Sequence, residues 1–167
     1  VPAVVGGAIA ILAGAVGLLG RQLFDRRIAS HTARRDLYVE LLTMLMGRRE
    51  YTQSAVFSRE VKLADLPTEQ IDQLNALLLI DATDAVAAKA RACFALLHRF
   101  HASRSMNVPV EVDGHGYFRY RSDRVRDQPE ETRDLVMRMA LGDIADEYGV
   151  AVDELAAQVK REVHRRL

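Results

Sequence analysis

The chain has no tryptophan, one cysteine and four prolines, and aromatic residues make up only 6% of it. Each scarcity excludes something. A single thiol, Cys93, leaves no intrachain disulfide framework and no cysteine zinc site. The apolar content is 49%, carried mostly by Ala, Leu and Val, which favours packed helices over a β-sandwich. Neither sign of charge is in excess: 23 Lys and Arg balance 23 Asp and Glu. No global field therefore draws nucleic acid. Lysine occurs only at Lys62, Lys89 and Lys160, so arginine dominates, which reads as the base composition of a GC-rich bacterial genome.

Several chemical signatures are also missing. There is no phosphate-binding Gly-rich loop, no dinucleotide fingerprint and no nucleophile elbow. The paired Glu and Glu-x-x-His pattern of di-iron bundles is absent too. His98 and His101 share a helical face, but no carboxylate or thiol on the adjacent turn completes a metal site. On these grounds the chain is expected to be no enzyme, with no catalytic, metal or cofactor-binding residues and no cofactor.

What is present begins with "VPAVVGGAIAILAGAVGLLG", a stretch without a charged side chain. Twenty helical residues span about 30 Å, the hydrocarbon thickness of a bilayer. A soluble helix has a polar face, and residues 3–20 have none. A secretory signal needs basic residues before its apolar core, and here they follow it, although Ala13-Gly14-Ala15 offers a cleavage pattern. The stretch reads as a transmembrane anchor over 1–20, followed by a cytoplasmic helical domain over 21–167. Arg21, Arg26, Arg27, Arg34 and Arg35 lie just beyond it, which puts that end in the cytoplasm and the N-terminus outside. The expected location is the cell membrane, crossed once. Within the anchor, Gly6, Ala10 and Gly14 recur every four positions, the small-residue spacing that lets membrane helices pack closely.

The rest reads as mainly α. A first helix runs through 21–62 with apolar positions at Ile28, Leu37, Tyr38, Leu41, Leu42, Leu45 and Val56. Pro67 opens a second over about 67–103. Ala82, Ala85, Ala88, Ala92 and Ala95 give that helix a strip of small residues for packing on the first, so the two are expected to form a long antiparallel hairpin. Asp81 and Asp84 then need partners, and Arg48 or Arg49 across the hairpin are the candidates. Over 108–122, Val108, Val110 and Val112 alternate, Asp113-Gly114 signals a turn, and Phe118 and Tyr120 alternate again, the pattern of a short β-hairpin. No third strand is evident. A C-terminal helix pair follows, 129–148 and 152–166, separated at Gly149.

Two segments suggest contacts. Residues 141–161 have the Ala145–Gly149–Leu155 spacing of a helix-turn-helix, but Ala151, Val152, Asp153, Ala156 and Ala157 are poor base readers. Arg161, Arg165 and Arg166, like Arg21, Arg26 and Arg27, are candidates for phosphate or lipid contacts. A membrane-anchored DNA-binding regulator is thus the alternative reading, with nucleic acid a disfavoured partner. "YFRYRSDRVR" interleaves Tyr117, Phe118 and Tyr120 with Arg119, Arg121, Arg124 and Arg126. It reads as an edge strand with aromatics inward and arginines outward, partly neutralised by Asp123 and Asp127.

In this layout the chain is similar to small bacterial single-pass membrane-anchored helical proteins, a resemblance that implies no activity. The expected partners are the lipid bilayer and either another protein or a second copy of the chain. The expected role is binding or scaffolding at the cytoplasmic face.

Overall fold

The structure is a computed structural model that describes residues 31–57, 66–113, 115 and 117–164. The chain divides into two compact units, 1–36 and 37–167. Of the first, residues 31–36 are described, and they are helical. Among the described residues no helix is long and apolar enough to cross a membrane. The expected anchor, 1–20, lies outside them.

The second unit is mainly helical, as its composition implies. Helix α1 of this unit covers 37–57. Then come α2 (Thr68–Asp81), α3 (Asp84–Met106), strands β1 (Val110–Val112) and β2 (Phe118–Tyr120), and α4 (Glu130–His164). A short 3-10 turn at Ser122–Arg124 precedes α4. On α1 the expected period holds: Leu37, Tyr38, Leu41, Leu45 and Val56 are buried. Thr52 is buried among them, and its hydroxyl is satisfied by the carbonyl of Arg49 at 2.8 Å.

The second helix is two helices. Ala82 and Thr83 adopt extended backbone (ψ 162° and 155°), which separates α2 from α3. Thr83 is the N-cap of α3, accepting from the Val86 amide at 3.4 Å. Its hydroxyl also donates to Glu162 of α4. The same carboxylate accepts from Tyr38 of α1 at 3.1 Å and from Gln158 at 3.1 Å. Glu162 thus ties three elements together at one end of the bundle.

This break changes the packing expected of the hairpin. Contacts between α1 and α3 advance together along both: Tyr51 meets Phe100 edge to face at 6.5 Å, and Arg104 donates to the Ala55 carbonyl at 2.5 Å. The two helices therefore run parallel, because α2 supplies the return passage. The long antiparallel hairpin of α1 with residues 67–103 is not formed. The alanine strip is also misplaced: Ala85, Ala88, Ala92 and Ala95 face solvent, and Ala87 and Ala90 are the buried ones.

The antiparallel partner of both is α4. Tyr38 meets Glu162, Leu45 meets Tyr148, and the Ala55–Val56 end joins Met137, Leu141 and Ile144 in one apolar cluster. Likewise Lys89 pairs with Glu154 and Arg99 with Glu147. The expected C-terminal helix pair is one helix of 35 residues. Its buried positions, Met137, Leu141, Ile144, Ala145, Tyr148, Val152, Leu155 and Val159, keep three- and four-residue spacing straight through Gly149. That unbroken apolar stripe holds the helix together where a lone glycine permits a stop without requiring one.

Gly149 instead makes room. The Arg49 side chain of α1 lies across it, with Nε 3.4 Å from where a Cβ would sit, and ends on Asp153 at 2.7 Å. At that spacing a methyl group fits, and nothing stands within 4 Å of the equivalent point on Gly47. Both glycines lie inside helices, where alanine is intrinsically better by about 0.5–1 kcal/mol. Gly47→Ala and Gly149→Ala should each raise unfolding stability by about that amount in urea titrations. A marked loss in Gly149→Ala would mean that residue 149 is a turn after all.

Candidate functional site

The short sheet stands at the margin of the helical core. Its register pairs Val110 with Tyr120, Glu111 with Arg119 and Val112 with Phe118, antiparallel. The flanking bonds, Arg121 N–H to Pro109 O at 2.8 Å and Asp113 N–H to Tyr117 O at 3.0 Å, fix which pairs exchange hydrogen bonds. These are 109 with 121, 111 with 119, and 113 with 117. Val110, Val112, Phe118 and Tyr120 therefore point their amides and carbonyls away from the opposite strand. The loop is closed by Asp113, whose carboxylate accepts from the His115 and Tyr117 amides at 2.9 and 3.0 Å.

A hairpin alone is marginal, and among the described residues there is no third strand. Helix α3 takes that place. The outward Val110 amide donates to the Ser103 hydroxyl at 3.1 Å, and its carbonyl accepts from Arg99 Nε at 2.7 Å. Ser103 is fully buried, and its backbone carbonyl also takes the Val108 and Asn107 amides as α3 ends in a left-handed Asn107 (φ 51°). Arg99 continues to Glu147 of α4 at 3.0 Å. The outer edge of β1 at Val110 is thus closed by side chains, and Val110 itself is buried.

The outer edge of β2 is not closed. No described residue hydrogen-bonds the outward amides or carbonyls of Phe118 and Tyr120, and all three residues of β2 are exposed. The aromatics are not inward as expected: Tyr117 is 73% exposed, Phe118 39%, Tyr120 46%, and Val112 46%. The reason is size. With two strands and one helix beneath, only Val110 has a core to enter.

The arginines divide into two groups. Arg121 bridges Glu111 at 2.9 Å and Asp123 at 3.0 Å, and Arg124 takes the other Glu111 oxygen at 2.8 Å. The hydrogen bond from Arg121 holds the Asp123 carboxyl below its usual range. The side chains of Arg119 and Arg126 make no hydrogen bond or ion pair among the described residues. Asp123 neutralises as the sequence suggested. Glu111 was missed, because only the cross-strand register brings it to Arg121.

The other sequence candidates fall elsewhere. Gly6, Ala10, Gly14, Arg21, Arg26, Arg27, Arg165 and Arg166 lie outside the described residues. Arg161 is exposed near the end of α4, donating to Gln158 at 2.7 Å. The helix-turn-helix of 141–161 has no turn. Val152 is buried in the core, and Asp153 and Glu154 are occupied by Arg49 and Lys89. Arg49 therefore does not meet Asp81 or Asp84, and Asp84 is exposed in the first turn of α3, where a negative charge suits the helix dipole. On α3, burial and then His101 lower the His98 pKa, opposed by Asp72. Among the described residues no three His, Cys, Asp or Glu side chains gather as metal ligands. Cys93 is fully buried on α3, and burial pushes its thiol up to about 12. No family model, curated protein or solved structure matches the chain.

Two measurements check this picture. Ser103→Ala should cost about 1–3 kcal/mol of stability, because it strands the buried Val110 amide, and should speed hydrogen exchange in β1 ahead of α3. Exchange unchanged in β1 would show that Ser103 does not hold the hairpin. A neutral, buried Cys93 should resist Ellman's reagent at pH 8 in the native protein and react once in guanidinium. Because its folded pKa lies above the unfolded value of 9.0, its contribution to stability is full below pH 9 and is lost as pH rises towards 12. Rapid native labelling would contradict the packing of α3.

Proposed function

We propose that the chain is a membrane-tethered helical module that acts by binding, with residues 1–20 as a transmembrane anchor and the β-hairpin as its recognition surface. One observation carries the binding reading: an aromatic strand edge is exposed on a hairpin that Arg99 bonds to α3 and α4. Exposed aromatic and apolar side chains gathered at one place mark interaction surfaces. The partner on this reading is another protein. Self-association within the membrane is a second contact, through Gly6, Ala10 and Gly14.

The tether is supported by sequence alone: an uncharged stretch long enough to span a bilayer, followed by Arg21, Arg26 and Arg27. Its effect is to confine the module to two dimensions and raise its effective concentration near partners at the cytoplasmic face.

The reading predicts that the full chain stays in the membrane pellet through an alkaline carbonate wash, and that deletion of 1–20 releases it. Protease added from the cytoplasmic side should degrade 37–167, and protease added outside should not. Recovery of the full chain in the soluble fraction after ordinary lysis would falsify the tether.

A further inference from the structure

We propose that the open edge of β2 is a strand-addition site for an extended peptide carrying an acidic residue between two apolar ones. This rests on the reading of the chain as a binding module and names the ligand that its hairpin takes. The backbone geometry comes first. Phe118 and Tyr120 each direct an amide and a carbonyl away from β1, and no described residue accepts or donates there. Unpaired edge groups of this kind are the template on which an added strand forms its ladder. The opposite edge offers no such place at Val110, because Ser103 and Arg99 already occupy it.

Side-chain alternation then sets the sequence of the guest. Residues of the added strand opposite Phe118 and Tyr120 lie on the aromatic face with them and with Val112. Apolar side chains there cover rings that are now 39% and 46% exposed. The residue between them lies on the other face, directly beside Arg119. The neighbour of Arg119 across the ladder is Glu111, but the two oxygens of Glu111 are held by Arg121 and Arg124. Arg119 is therefore a cation with no partner among the described residues. An aspartate or glutamate opposite it makes a favourable cross-strand pair, and a lysine there is repelled.

The same charge argues against a second copy as the occupant. Two β2 strands paired with Phe118 opposite Tyr120 place Arg119 directly against Arg119. Like charges in that position destabilise a ladder, so the edge favours an acidic guest over itself.

The test uses the full chain in detergent micelles and two fluorescein-labelled peptides, Thr-Val-Glu-Val-Thr and Thr-Val-Lys-Val-Thr. Fluorescence anisotropy should show the Glu peptide binding at least tenfold more tightly than the Lys peptide. Hydrogen exchange at the Phe118 and Tyr120 amides should slow on binding. Arg119→Glu should reverse the preference, and Arg119→Gln should remove it. Tyr120→Pro should abolish binding and leave the β1 ladder bonded, since the amide it removes is not used there. Equal affinity for both peptides, no binding of either, or unchanged exchange at those amides would overturn the proposal. So would a dimer, seen by sedimentation without peptide, that Tyr120→Pro dissociates, because the edge would then belong to a second copy. Each outcome is independent of the carbonate wash, so failure of the edge and failure of the tether are distinguishable.

Discussion

The fold depends on keeping α4 in one piece. A helix of 35 residues is about 52 Å long and holds together only if something covers its apolar stripe throughout. Neither α1 nor α3 alone does so. Together they form a groove, and α4 lies antiparallel to both, with Tyr148 at the centre. That side chain is fully buried, and its hydroxyl donates to the Leu45 carbonyl at 2.9 Å. A buried phenol without an acceptor is costly, so this bond fixes the position of α4 along α1. Arg49, one turn beyond Leu45 on α1, lies over Gly149 and reaches Asp153.

The hairpin follows from the way α3 stops. Asn107 turns the chain out of the helix, and the next residues run back beside its last two turns. Ser103 and Arg99 then stand where a third strand would be, offering a hydroxyl and a guanidinium to one valine. Two strands are thereby ordered without the usual minimum of three. The arrangement closes the β1 edge at Val110 with side chains and leaves the β2 edge open among the described residues.

Much of the architecture is legible in the sequence, and the misses have physical causes. The helical class, the apolar face of α1 and the hairpin at 108–122 follow from spacing and from Asp113-Gly114. The α2–α3 break was marked by the run Asp81-Ala82-Thr83-Asp84, rich in capping residues, but the apolar period on both sides hid it. Gly149 acts in the opposite sense: it permits a stop, and the apolar stripe that passes through it overrides it. Parallel α1 and α3 cannot be read from either helix alone, because direction is settled by the return passage between them. The alanine strip shows that small residues at helical spacing fit a solvent face as well as a tight interface. At the candidate site, the aromatic and basic residues were visible, but their division into paired and unpaired arginines depends on the strand register.

The bundle also has two unlike poles. At one, Tyr38 near the start of the unit and Glu162 near the end of α4 are bonded together. At the other, α3 delivers the hairpin beside the far end of α1. From Tyr38 to Ala55 along α1 is about 25 Å of helix. A reporter protein joined near residue 164 thus sits a full helix length from the aromatic edge and leaves the hairpin unobstructed.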